Sequence, residues 1–224
     1  MSEYLIMEDF TVSYDDREMA AHFRVKAGSK AESQLYQLLA EARAIARPKA
    51  AFKVMSPSIV NGETVRFENV DFESELMVRH LTGLDQALPF VATCGRELAE
   101  WTTGLTGLAQ YMADEIMLMA LMQAERQLEQ YLIDRFRMPA VSAMNPGSLA
   151  REWPITEQIP LFELLGDLPG RIGVKLLPSL LMDPGKSVSG IFFRTDEQYH
   201  NCQLCLKEAC PSRKAPYQGD QAGL

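Results

Sequence analysis

One reversal constrains this chain more than any other feature. Asp183-Pro184-Gly185-Lys186 stands between a long apolar run and the strand-like Ser187-Val188-Ser189-Gly190-Ile191-Phe192-Phe193. Proline presets φ and glycine accepts positive φ, so the backbone turns here. Upstream, Leu161 to Leu165 is a short apolar helical turn stopped by Gly166. Ile172 to Met182 is apolar enough for a strand or an extended core segment. Pattern alone predicts a buried β-turn-β unit and no chemistry.

The remaining elements follow from period and punctuation. Residues 4–14 alternate loosely and predict an edge strand, and Asp15-Asp16-Arg17 a turn or helix start. Leu35, Leu38, Leu39 and Ala42 share one face of a helix over 29–46, with Ser29 or Ser33 as cap and Pro48 beyond its end. Ala50–Met55 and Val65–Glu68 predict a hairpin-like pair around Asn61-Gly62. A short helix is expected over 73–82, then a buried strand from Leu88 to Gly95. The longest helical signal runs from Tyr111 to Arg137, with Ile116, Ala120, Ala124 and Leu128 inward and Glu125, Arg126, Glu129 and Asp134 on the wet side. Its methionines, Met112, Met117, Met119 and Met122, suit a deformable core. Pro139 ends it, and 140–154 is expected to be a loop around Asn145-Pro146-Gly147.

A chain of 224 residues with 47% hydrophobic and 23% charged side chains fits a soluble globular protein. A net charge of −8, with no basic patch interleaved with aromatics, argues against a nucleic-acid partner. No run of 18 apolar residues is present, so no membrane span is expected. The cysteines are not spread as a disulfide frame, which suggests a cytoplasmic, reducing location. No Ser/His/Asp order, P-loop or G-x-G-x-x-G is present, and His22 and His80 carry no partner signal.

The stretch opened above resembles the activation domain of cobalamin-dependent methionine synthase. The resemblance rests on Ile172-Gly173-Val174-Lys175-Leu176, then Met182-Asp183-Pro184-Gly185-Lys186-Ser187-Val188-Ser189-Gly190 followed by Ile191-Phe192-Phe193. A less specific echo is the helix segment Ile116-Met117-Leu118-Met119-Ala120-Leu121. The resemblance implies an α+β fold, a twisted and mainly antiparallel sheet with packed helices. It also implies a role in reactivating cobalamin: with one electron from a flavoprotein, the family remethylates a lapsed Co(II) corrinoid from S-adenosylmethionine. The family's donor loop, R-x-A-P-G-Y, falls on Ala143-Met144-Asn145-Pro146-Gly147-Ser148. Pro146-Gly147 is kept. The arginine that would pair with the methionine carboxylate is Ala143, and the tyrosine is Ser148. A guanidinium–carboxylate pair is a charge-assisted, bidentate contact that alanine cannot replace; Arg151, a few residues on, is the one candidate substitute.

Beyond the resemblance lies a C-x2-C-x4-C run: Cys202, Cys205 and Cys210, followed by Pro211. Converging thiolates suit an iron–sulfur cluster or Zn(II). Three readings stay open, namely a cluster, a structural zinc knuckle and free thiols, with Cys94, His200 or an exogenous group as fourth ligand. A cluster can supply the low-potential electron that cob(II)alamin needs, and zinc cannot. Arg213 and Lys214 would offset cluster charge or be solvated.

The expected organisation is an activation-domain-like α+β domain over 1–194 and a cysteine-containing segment over 195–224. No cobalamin-, folate- or homocysteine-binding module is recognised in the chain. The expectation is therefore a stand-alone reactivation component for a methyltransferase, docking on a separate corrinoid protein or methionine synthase. Asn145, Pro146, Gly147, Lys186, Ser187, Val188, Ser189 and Gly190 would shape its pocket. The alternative is a non-catalytic module that binds a corrinoid protein and carries a structural zinc site.

Overall fold

The protein is built in the order β1 (Glu3–Met7), α1 (Asp16–His22), α2 (Lys30–Ile45), β2 (Lys49–Val54), β3 (Ser58–Ile59), β4 (Thr64–Phe67), β5 (Val70–Glu73), α3 (Glu75–Leu81), β6 (Ala87–Thr93), α4 (Arg96–Trp101), α5 (Gly107–Phe136), β7 (Ala140–Met144), α6 (Gln158–Leu165), α7 (Leu168–Arg171), β8 (Lys175–Leu176), β9 (Met182–Asp183) and β10 (Ser187–Thr195). The structure, a computed structural model, describes residues 3–149, 152–196, 199–207, 213 and 215–218. The fold is α+β. Its main sheet has the order β1-β2-β6-β10-β7, and each adjacent pair is antiparallel.

β6 and β10 occupy the middle of this sheet and explain its two-sided core. Side chains alternate along a strand. Leu88, Phe90 and Ala92 of β6 join Phe192 of β10 on one face, beneath Leu35, Leu39, Ile116, Ala120 and Leu128 of α2 and α5. Val91, Ile191 and Phe193 point to the other face, against Phe67, Phe72, Leu76, Leu161 and Leu165. β6 is therefore buried along its whole length, which is why it reads as a continuous apolar run rather than an alternating one.

Local signals set the element ends. Ser29 Oγ accepts from Glu32 N at 3.2 Å at the start of α2, and Asp15 Oδ1 accepts from Arg17 N and Glu18 N, both at 2.9 Å, at α1. Gly166, with φ of +67°, closes α6.

Several expectations need correction. Residues 172–182 form no core strand: β8 and β9 are two-residue strands paired with each other. Between them Leu177 and Leu181 are exposed. β10 pairs instead with β6 and β7, so the turn at Pro184 joins two different sheets. Only Glu3–Met7 of the expected 4–14 strand is formed. The Asn61-Gly62 turn is real, but it joins β3 to β4, while β2 pairs with β1 and β6. The helix over 111–137 begins earlier, at Gly107, and ends at Arg137 in the left-handed region, before Pro139. The 140–154 loop contains a strand, β7, which forms the edge of the main sheet.

Candidate functional site

The loop after β7 holds Asn145, Pro146 and Gly147 of the expected pocket residues, while Lys186 lies in the turn before β10 and Ser187 to Gly190 on β10 itself. Asn145 Nδ2 donates to Ser189 O at 2.9 Å, tying the loop to β10. Gly147 takes φ of +81°, and its N–H donates to Trp153 O at 2.8 Å, closing the loop. Ser148 Oγ donates back to Asn145 O at 2.6 Å. The glycine of the S-V-S-G run has a steric reason. A Cβ at Gly190 would lie 2.2 Å from Met144 O and 2.7 Å from Asn145 Nδ2, so only glycine lets the loop approach the strand. Ser189 and Gly190 are buried, and they support Asn145 from below. Pro146 is buried, Gly147 is exposed, and Lys186, Ser187 and Val188 are half-buried. Ser187 Oγ lies 2.9 Å from Thr93 Oγ1 and 2.7 Å from Pro184 O, so it braces the reversal against β6.

The segment after β10 folds back onto this loop. Tyr199 N donates to Ser142 Oγ at 2.7 Å, and Ala143 and His200 form a parallel bridge. Asn201 Nδ2 donates to Asn145 Oδ1 at 3.1 Å and to Ser148 Oγ at 2.9 Å. The Tyr199 ring sits 4.5 Å from that of His80, which lies 5.1 Å from Phe193 on its other side. Burial, with a smaller push from Arg79, lowers the His80 pKa to about 4, so this imidazole is neutral at pH 7.

These elements enclose a cavity of about 320 Å³. α5 contributes Glu125 and Glu129, β7 and its loop Ser142, Ala143, Asn145 and Ser148, and the tail His200, Asn201 and Cys202. The two carboxylates stand at i and i+4 on one face of α5. In sequence they look like a wet face; the tail is what turns that face into a wall. Asn201 Oδ1 is buried without a hydrogen-bond partner among the described residues. The lining combines acceptors and carboxylates with a thiol and an imidazole, which suits a ligand rich in hydrogen-bond donors.

Beside the cavity, Asn201–Gln203 form a single 3-10 turn. Cys205 N donates to Cys202 O at 3.3 Å, and both cysteines are half-buried. Arg213 donates to the carbonyl oxygens of Cys202 at 2.7 Å, Ala215 at 3.0 Å, Cys205 at 2.9 Å and Lys207 at 2.7 Å. It is thus bound into the cysteine turn, and the solvated alternative does not hold. Cys210, Pro211, Lys214 and Arg151 lie outside the described residues. Among the described residues no three His, Cys, Asp or Glu side chains converge on a point.

Cys94 is not a ligand in this arrangement. It is fully buried in the core beneath α2 and α5, and burial pushes its thiol up to about 12. A thiol in such surroundings stays protonated and inert. No helix among the described residues is long and apolar enough to cross a membrane.

A five-stranded antiparallel sheet packed on both faces defines the class of fold. That fold is the one seen in the crystal structure of the MetH reactivation domain bound to AdoHcy, with a TM-score of 0.63 over 88% of this chain and 80% of that one. The two sequences are 16% identical. No family model matches the sequence, and no curated protein matches it.

Proposed function

We propose that this protein supports reductive reactivation of cobalamin carried by a separate corrinoid protein or methionine synthase. The observation that supports this best is the likeness of its fold to the MetH reactivation domain over 88% of the chain. The site adds detail to that reading. The Asn145–Ser148 loop and the half-buried Lys186–Val188 turn lie at one end of the sheet, beside β10. They form the surface offered to the partner's corrin.

The proposal puts the weight on electron delivery rather than on methyl transfer. The solved relative binds AdoHcy. In this chain Ala143 offers no guanidinium to a methionine carboxylate, and Asn145 and Ser148 already accept from Asn201 of the same chain. The cysteine segment, Cys202 and Cys205 with Cys210, would hold an iron–sulfur cluster. Such a cluster, if held there, would supply the low-potential one-electron chemistry that reduction of cob(II)alamin needs, with a flavoprotein-class reductant as the electron source. Soft thiolate donors suit such a cluster. They also suit Zn(II), which stiffens a loop and carries no electron.

The test is anaerobic purification followed by capture of partners. A brown protein, bleached by dithionite, that brings a cobalamin protein out of anaerobic extract supports the proposal. A colourless protein holding one zinc and still retaining the corrinoid protein supports a non-catalytic binding module. Retention of no corrinoid protein removes both.

A further inference from the structure

Three consecutive backbone bonds wind the tail into one tight turn. Gln203 N donates to His200 O at 2.8 Å, Leu204 N to Asn201 O at 3.2 Å and Cys205 N to Cys202 O at 3.3 Å. Each bond spans three residues, the 3-10 pattern, in which side chains at i and i+3 eclipse. Cys202 and Cys205 stand at i and i+3 and therefore lie on one side of the turn. With a rise of about 2.0 Å per residue their Cα atoms are about 6 Å apart, inside the roughly 4.4–6.8 Å that a disulfide spans. We propose that Cys202 and Cys205 are a reversible dithiol–disulfide pair, closed by exchange with a small disulfide of the glutathione class. The inference needs two thiols and no metal, so it stands apart from the cluster reading of the proposed function. A pair closed as a disulfide has no thiolate left for ligation.

The rest of the tail holds this turn in shape. Arg213 donates to Cys202 O at 2.7 Å and to Cys205 O at 2.9 Å, which fixes both ends. His200 N donates to Gln203 Oε1 at 2.9 Å, and Gln218 N to Gln203 O at 2.8 Å. Asn201 anchors the turn on Asn145 and Ser148. Both cysteines are half-buried, whereas Cys94 is fully buried. One cysteine, as thiolate, attacks a sulfur of the small disulfide, forms a mixed disulfide and releases one small thiolate, which takes up a proton. The other cysteine loses its proton, attacks the protein sulfur of that mixed disulfide, closes the internal S–S bond and expels the second small thiolate. The pair gives up two electrons and two protons, and the small disulfide gains them. A turn that is already formed keeps the second sulfur beside the first, so ring closure outruns accumulation of the mixed disulfide. Cys202 lines the cavity next to Asn145, so the state of the pair sets the chemistry of that wall.

The test uses the full chain, reduced, treated with a chelator and equilibrated in glutathione buffers of graded redox ratio. Peptide mass mapping is the readout. The expected result is one Cys202–Cys205 link that forms and reverses with the buffer, while Cys94 stays unmodified. Cys205→Ser should instead trap glutathione on Cys202. Arg213→Ala, which releases both ends of the turn, should shift the equilibrium roughly 10-fold toward the reduced pair, the worth of a hydrogen bond to a charged group. Glutathione adducts on both cysteines with no internal link would overturn the proposal, as would a link from either one to Cys210 in its place. An unchanged equilibrium in Arg213→Ala would also overturn it, because the ordered turn would then not be the cause. None of these results touches the corrinoid reading, which is decided on cobalt.

Discussion

Gly190 shows how far a single residue governs the site. Its missing Cβ is the space through which Asn145 reaches Ser189 O. Gly190→Ala should destabilise the protein by about 1–3 kcal/mol, the usual cost of overpacking a filled core. It should also release the loop, read as lower Tm together with faster cleavage near Asn145. His80 gives a pH signature. Its folded pKa of about 4 lies below its usual 6.5, so unfolding takes up a proton between those values. Stability is then full above about 6.5 and falls as pH drops toward 4, below which this contribution is flat. His80→Phe, measured by Tm against pH, should flatten that slope; an unchanged slope would assign it to other groups. Cys94 makes the opposite point about reactivity. With its thiol pushed up to about 12 and its side chain fully buried, it should resist iodoacetamide in the folded, metal-free protein while Cys202 and Cys205 are alkylated, as read by peptide mass mapping.

Among the elements, α2, α3, α5 and the two central strands could be read from sequence, and the β7 edge of the sheet could not. α2 and α5 repeat apolar residues at helical spacing, and β6 is apolar throughout because both its faces are covered. β7 escaped notice because Ala140-Val141-Ser142-Ala143-Met144 is short and mixed, and the Asn-Pro-Gly beside it reads as loop. Missing that strand hid the role of Ser142, which accepts from Tyr199 N. The Ile172–Met182 run misled for a different reason: its leucines partly face solvent around a two-residue hairpin, so hydrophobicity alone did not mark core. Of the expected pocket residues only Asn145 lines the cavity; Lys186 to Gly190 do not, and Ser189 and Gly190 lie buried beneath the loop. Glu125 and Glu129 were not legible, because only the returning tail makes them face a cavity. The junction between tail and loop carries its own prediction. Asn145→Ala removes the donor to Ser189 O and the acceptor for Asn201, and should cost about 1–3 kcal/mol. Limited proteolysis should then cut the tail after Thr195 faster than in the unaltered protein, and unchanged cleavage would mean that the Tyr199 and His200 contacts hold it without Asn145.

For the molecule as a whole, the layers explain why so little sequence identity accompanies so much structural likeness. A sheet buried on both faces needs apolar residues at alternating positions, and many sequences satisfy that. The segment that returns across β7 brings Cys202 to the cavity beside Asn145. The central claim is that the protein restores a corrinoid carried by another polypeptide, and it is tested most directly on that corrinoid. A purified corrinoid protein poised in the Co(II) state is mixed anaerobically with this protein and a flavodoxin-class reductant, and the cobalt spectrum is followed. The account predicts Co(II) loss with Co(I) formation that depends on this protein and is slowed when Cys202 and Cys205 are replaced by serine. Co(II) persisting at the same rate with and without the protein would contradict it.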